Sequence, residues 1–476
     1  MNERSSPNIL DRALGNLRNA WRDIAGSAFG LAAGALRPDL PEDDAERLRA
    51  QMRDCLEARG GEVSARARAA ALGRAYLELE RGGRQRFLRI LAEDFGTDRA
   101  AVDAAVERLR RADGQDQRRA AERALGAALE APRMRLLTQF NALPEGVKFL
   151  VDMRADLLPL AQKDGALGAL EPDLKGLLAS WFDVGFLELR RITWNAPATL
   201  LEKLIAYEAV HAIRSWEDLK DRLDSDRRCF AYFHPRMPDE PLIFVEVALV
   251  SGMADNIQTL LDESAPVQDP RAADTAIFYS ISSAQQGLAG ISFGNFLIKR
   301  VVDMLAAEFK GLKTFATLSP APGFRVWLDA LLASGRADLL TPAEQKALSG
   351  LAGEGEGPDK LKVVLGTPGW HEDEACAEAV RGILMRLGAR YLAQEKRSDG
   401  RALDPVADFH LSNGARIERL NWLADSSPKG IEQSTGIMVN YLYKLNAIEA
   451  NHEAYSDAGK VALSPPVKAL LKGRPG

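Results

Sequence analysis

Thr275-Ala-Ile-Phe-Tyr-Ser-Ile-Ser282 runs into Gln285-Gln286-Gly287-Leu288-Ala289-Gly290-Ile291-Ser292-Phe293-Gly294, and Asn295 opens a helical pattern that ends at Phe309. The first segment is apolar and reads as a strand. Beyond the glycines, Phe296, Leu297, Val301, Met304, Leu305 and Phe309 trace one helical face. Strands mixed with helices predict an α/β or α+β domain. Glycines let backbone come close to a ligand, and the free N–H groups of a helix start attract an anion. The stretch Gln285–Gly294 is therefore a candidate pyrophosphate cradle. The competing reading is a strand-to-helix turn with glycines at tight packing points. The stretch is not a Walker loop, because no Gly-Lys-Ser/Thr follows, and it is not a Gly-x-Gly-x-x-Gly fingerprint. Lys299 and Arg300, just past the loop, are candidate phosphate partners.

Other strands lie around this segment. Arg228 to Phe233 is one, and Leu242 to Val250 is a nearly continuous apolar run that suits a strand covered on both faces. Thr314 to Leu318 is shorter. Upstream the pattern changes. No lysine precedes Lys148, and no strand signal is convincing before Phe182. Pro41-Glu42-Asp43-Asp44 predicts a helix start, with Pro41 as its first residue and Gly60-Gly61 as its stop. Ser64 to Glu80 predicts a second helix, stopped by Gly82-Gly83. Phe87, Leu88, Leu91 and Phe95 make an apolar stripe, and Thr97–Ala112 and Gln115–Leu129 continue the theme. The expected organisation is a helical bundle over residues 1–180, serving structure or self-association, followed by a strand-containing domain over 181–476.

Composition limits the function. The chain has 476 residues, 46% hydrophobic and 27% charged, which are ordinary globular values. A net charge of −5 gives no reason to expect nucleic acid as the main partner. Three scattered cysteines, Cys55, Cys229 and Cys376, form neither a disulfide framework nor a zinc pattern. No stretch reaches the ~18 apolar residues of a membrane span. The N-terminal residues lack the apolar core of a signal peptide.

Two loops carry groups for chemistry. Leu318-Ser319-Pro320-Ala321-Pro322-Gly323-Phe324 follows a short strand, and its prolines stiffen the backbone around the Ser319 hydroxyl. A serine capping the next helix is the plainer reading. Asp404-Pro405-Val406-Ala407-Asp408-Phe409-His410-Leu411-Ser412-Asn413-Gly414 holds one of only five histidines. His410 reads as a strand-to-turn position, and a core histidine satisfied by a carbonyl is its plainer reading. His211 reads as helical, and His234 as part of a turn before Pro235. No histidine pair has metal-ligand spacing. Ser319, His410 and an acid such as Asp404 or Asp408 suggest a hydrolase triad only superficially, since no Gly-x-Ser-x-Gly elbow surrounds the serine. Tyr441 and Asn413 are further pocket candidates against packing and turn formation.

Taken in order, these segments resemble the malonyl-CoA decarboxylase family. The motifs are Arg191-Ile-Thr-Trp-Asn195, Glu208-Ala-Val-His211, Phe278-Tyr-Ser-Ile-Ser282, Gln285-Gln-Gly-Leu288 and Phe296-Leu-Ile-Lys-Arg-Val-Val302. They continue with Leu318-Ser-Pro-Ala-Pro-Gly-Phe324, Asp404 to Ala415, and Asn421-Trp-Leu-Ala-Asp425. The resemblance implies a multidomain α and α+β protein: an N-terminal helical bundle followed by a GNAT-like acyltransferase-type catalytic domain with a mixed β-sheet. It implies decarboxylation of malonyl-CoA to acetyl-CoA and CO2 without metal or organic cofactor, by a homo-oligomer, dimer or tetramer. It assigns the active-site pair to Ser319 and His410 and the CoA loop to Ala289–Asn295. Some members carry an acidic residue where this chain has Ser292. The targeting signals of some members are absent, which predicts a cytoplasmic protein without membrane or nucleic-acid partners. A GNAT-type acyltransferase and a non-enzymatic helical scaffold are the alternatives.

Overall fold

The computed structural model describes residues 17–24, 36–57, 61–291, 297–334, 339–351 and 355–472. Its contacts divide into two compact units. One holds residues up to 188 with 232–242 and 283–293, and the other holds 189–231, 243–282 and 294 onward.

The first unit is built on helices, among them Glu42–Leu56, Gly61–Glu78, Arg81–Glu93, Arg99–Arg111, Gln115–Leu129, Pro132–Phe140, Gly146–Ala161 and Gly165–Trp181. The expected helices are present, with shifted ends. Pro41 is the N-cap rather than the first helical residue. Gly82 and Gly83 lie inside the Arg81–Glu93 helix instead of stopping its predecessor. Gly83 is there for room, since a Cβ on it would stand 2.2 Å from the Pro38 carbonyl oxygen. Buried Trp21 packs edge-on to Phe149 at 4.9 Å, and Tyr76 meets Phe87 at 5.0 Å. Such aromatic pairs add to their area burial through complementary ring edges and faces. Buried Arg154 donates to Glu171 and, at 2.6 Å, to the Gly287 carbonyl.

Among the described residues, eight strands form one mixed sheet. They are β1 (Glu188–Ile192), β2 (Arg227–His234), β3 (Met237–Val250), β4 (Thr275–Ser283), β5 (Thr314–Thr317), β6 (Ser319–Pro320), β7 (Arg416–Asn421) and β8 (Met438–Leu442). Their order is β1-β2-β3-β4-β5-β8-β6, with β7 also on β8. β4 and β5 are parallel, from Thr275 opposite Thr314 to Phe278 opposite Thr317. The helix Leu297–Glu308 lies between them in the chain, as a parallel pair requires a crossover. β5, β6 and β7 run antiparallel to β8. One sheet face buries Ile277, Tyr279, Ala316, Leu318 and Met438. Because side chains alternate, the opposite face of the same strands receives Phe278, Ser319, Val439 and Tyr441.

A polar network is buried in the second unit. Arg222 pairs with Asp218 at 2.6 Å and with Glu246 at 3.2 Å. Glu208 accepts from Ser280 at 2.8 Å and from Ser282 at 3.2 Å. Burial, with Glu208 nearby, pushes the Glu246 carboxyl up to about 8. His211, expected on a helix, follows the helix end at Tyr207 and sits in a loop. The Glu208 carboxylate accepts the Val210 and His211 N–H groups and shapes that loop. His234, expected in a turn, is the last residue of β2.

Candidate active site

Ser319 sits where β5 ends and the chain shifts to the two-residue strand β6, opposite Val439 of β8. Pro320 tolerates that place because it is an edge position needing no second ladder bond. The next helix, Phe324–Ala333, is capped by Gly323 without any side-chain bond, so Ser319 is not spent as a cap. Its hydroxyl lies 3.1 Å from His410 Nε2.

His410 is carried by a helix, Pro405–Ser412, and not by a strand end. Phe409 and Leu411 flank it as a strand pattern would, but Asp404-Pro405 is a helix start. Proline takes the first helical position, and Asp404 Oδ1 accepts the Val406 and Ala407 N–H groups at 3.0 and 2.8 Å. Asp404 Oδ2 accepts from the Tyr391 hydroxyl at 3.2 Å, and the Gly323 N–H also bonds this carboxylate. One buried carboxylate thereby ties the Ser319 loop to the His410 helix. Burial raises the Asp404 carboxyl against these bonds.

His410 is 2% exposed. Its Nδ1 meets the Tyr443 hydroxyl at 2.8 Å, and the Tyr441 ring stacks on it at 4.4 Å between centroids with 25° between planes. Burial alone pulls the imidazole down to about 3, so the ring is neutral near pH 7 in this state. Among the described residues no carboxylate stands behind it. Asp404 serves as the helix cap, and Asp408 is held by Arg397, by Arg401 at 2.8 Å and by Tyr455 at 2.7 Å. The third member of the array is a phenol, which removes the hydrolase-triad arrangement. Tyr443 escaped the sequence reading. The alternation Val439, Tyr441, Tyr443 was the available signal.

The remaining candidates fall in different places. Tyr441 belongs to the array. It is fully buried, and its hydroxyl has no hydrogen-bond partner among the described residues. Asn413 is the C-cap of the His410 helix and donates to the Phe409 carbonyl at 2.8 Å, which is a turn-forming role. Lys299 bonds Glu449 at 2.7 Å, and Arg300 is exposed on the same helix. In the glycine stretch, the Leu288, Ala289 and Ile291 N–H groups bond the carbonyls of Gln285, Gln286 and Leu288. They are spent on a tight turn. Gly287 fits the packing reading, since a Cβ would stand 1.7 Å from the Val151 carbonyl oxygen. Gly290 has φ +71°, a conformation suited to glycine. Ser292, Phe293, Gly294 and Asn295 lie outside the described residues. No group of three His, Cys, Asp or Glu among the described residues is placed to hold a metal ion.

The chain matches two family models. The malonyl-CoA decarboxylase C-terminal domain covers residues 185–475, and the N-terminal domain covers 95–182. It is 41% identical over 426 residues to a mitochondrial malonyl-CoA decarboxylase of Anser anser anser, covering 85% of this chain and 83% of the relative. The mitochondrial enzyme of Rattus norvegicus is 39% identical over 474 residues, covering 93% and 92%. Among solved structures, malonyl-CoA decarboxylase from Rhodopseudomonas palustris aligns with TM-score 0.82 and 43% identity, covering 89% of this chain and 99% of that one. The Agrobacterium vitis enzyme aligns with TM-score 0.79 and 45% identity over 89% and 99%. These relatives correct the cytoplasmic expectation. Curated relatives covering most of the chain are mitochondrial forms, and the cytoplasmic assignment does not stand. Among the described residues no helix is long and apolar enough to cross a membrane.

Proposed function

The chain belongs to the malonyl-CoA decarboxylase family, and from that premise we propose that it converts malonyl-CoA to acetyl-CoA and CO2 with Ser319 and His410 as the catalytic pair. The observation that carries the assignment is the buried 3.1 Å contact between Ser319 Oγ and His410 Nε2.

Decarboxylation breaks the bond between the α-carbon and the carboxylate. The electron pair passes into the thioester as an enolate, CO2 leaves, and one proton is added to carbon. The proton must come from a group that holds it when the enolate forms. Neutral His410 lacks it in the unliganded site. An anion brought close favours the charged form of a base, so the substrate's own carboxylate draws a proton onto the imidazole. The imidazolium then donates Nε2–H to Ser319 Oγ while Ser319 gives its hydroxyl proton to the α-carbon. The imidazole ends neutral, the serine is restored, and one proton per turnover comes from solvent. Tyr443 receives Nδ1–H while the ring is charged. A positioned acid of this kind contributes roughly 10²–10⁴-fold, and a donor aimed at the enolate oxygen about 3–4 kcal/mol.

The same reading gives the strand-containing part a GNAT-like fold. Its support is the parallel pair β4 and β5: they match over residues 275–278 and 314–317, after which β4 runs on to Ser283 while the chain leaves β5 for β6, paired to β8. Such a divergence offers a slot for an extended thioester. Residues 1–180 serve as the helical, self-associating domain and 181–476 as the catalytic one, with CoA held by the Ala289–Asn295 loop, assisted by Lys299 and Arg300, and the active form a homo-oligomer. The test is incubation of purified protein with malonyl-CoA in the presence of a chelator. Acetyl-CoA and CO2 in equal amounts without an acceptor support the lyase. Product formation only with an amine acceptor supports a GNAT-type acyltransferase instead.

A further inference from the structure

Resting on the decarboxylation reading, we propose that Tyr441 is the positioning residue that makes the charged form of His410 attainable: its ring, stacked on the imidazole, holds the ring plane toward Ser319 and stabilises the imidazolium through its π face.

The geometry is specific. The centroids are 4.4 Å apart and the planes 25° from parallel, well inside the ~6 Å reach of a cation over an aromatic face. Among the described residues, the other groups around His410 bring hydrogen-bonding hydroxyls but no free carboxylate. On its own helix, Asp404 is taken by the backbone cap and Tyr391, and Asp408 by two arginines. From β6 comes the neutral Ser319 hydroxyl. Just past β8 comes the Tyr443 hydroxyl, which burial keeps protonated. From the Ile448–Ala458 helix, His452 bonds the Ser412 carbonyl and Tyr455 bonds Asp408. Among the described residues an imidazolium here has no carboxylate partner of its own. The Ser319 and Tyr443 hydroxyls can accept its two N–H groups, and the Tyr441 face adds attraction for the charge itself, supplemented in turnover by the substrate carboxylate. The tyrosine hydroxyl is buried without a partner, which costs stability. It is therefore the ring and not the hydroxyl that serves His410.

The alkaline limb of the kcat–pH profile reports proton loss from the enzyme–substrate complex. Removing the π face lowers the His410 proton affinity, so in Tyr441→Leu that limb moves to lower pH by about one unit, and acidification restores much of the lost rate. Tyr441→Phe keeps the face and leaves the limb in place. A melting curve on each variant confirms folding. An unmoved limb in Tyr441→Leu, or an equal displacement in Tyr441→Phe, overturns the proposal. His410→Asn separates the two levels: if that variant still decarboxylates, the parent assignment fails, whereas an inactive His410→Asn with an unmoved Tyr441→Leu profile sinks only the role of Tyr441.

Discussion

Asp404 holds the His410 helix and the Ser319 loop with one carboxylate. Oδ1 caps the helix through Val406 and Ala407 N–H groups, and the Gly323 N–H, from the loop that begins at Ser319, bonds the same group. The two side chains of the proposed catalytic pair, 91 residues apart in sequence, thereby share a mount. Asp404→Ala removes the cap and the tie together. Loss of an N-cap costs ~1 kcal/mol or somewhat more, and kcat falls further than that loss of stability implies. Asp404→Asn, which still caps, keeps more of both. Thermal melts and steady-state kinetics on the two variants check this.

Gly323 is required for the same reason. A Cβ there would stand 2.2 Å from the Tyr391 hydroxyl, the group that donates to Asp404. Gly323→Ala lowers kcat, and Tyr391→Phe in the same chain restores part of it by clearing the space. Rates that simply multiply in the double variant contradict the clash.

Much of this was legible beforehand. The strand segments Thr275–Ser282 and Leu242–Val250 and the helix Gln115–Leu129 follow from local patterning, because each is a period read within one segment, and the structure extends the second back to Met237. The Ser319–His410 pair came from a series of motifs, since nothing local says that a loop and a helix so far apart in sequence meet. Apolar Phe409 and Leu411 on both sides of His410 imitate the alternation of a strand, although the residue lies in a helix. The cap at Asp404 outweighed them. Gly82-Gly83 read as a stop because a close approach to the Pro38 carbonyl is invisible without the fold.

His410 also sets a pH dependence of stability. Its proton affinity is lowered from 6.5 to about 3 by burial, so between these values the unfolded chain binds more protons than the folded one. Stability therefore rises with pH through that window and is lost as pH falls below ~6.5, by an amount on the order of 4–5 kcal/mol across the full window. His211, lowered to about 4 by burial, adds to the same slope. Urea unfolding at pH 4.5 and pH 6.5 gives a smaller difference for His410→Gln than for the parent chain. An unchanged difference contradicts a neutral buried ring.

The network around Arg222 behaves asymmetrically. Arg222→Met strands the buried Asp218 carboxylate, takes a donor from Glu246, and destabilises by about 3–5 kcal/mol. Glu246 is raised to about 8, so the folded state keeps its proton at pH 6 and Glu246→Gln is nearly neutral there. Across the window from 4.5 to about 8 the folded state binds the extra proton, so stability falls as pH rises, and Glu246→Gln gains relative to the parent at pH 8. Melting temperatures at the two pH values check the sign.

The most direct test is a double-mutant cycle on CO2 release from malonyl-CoA with the parent chain, Ser319→Ala, His410→Asn and the double variant. A pair acting as one relay predicts that each single variant loses ~10²-fold or more and that the double variant is little worse than either. Single variants that keep near-parental rates, or losses that multiply independently in the double variant, contradict it.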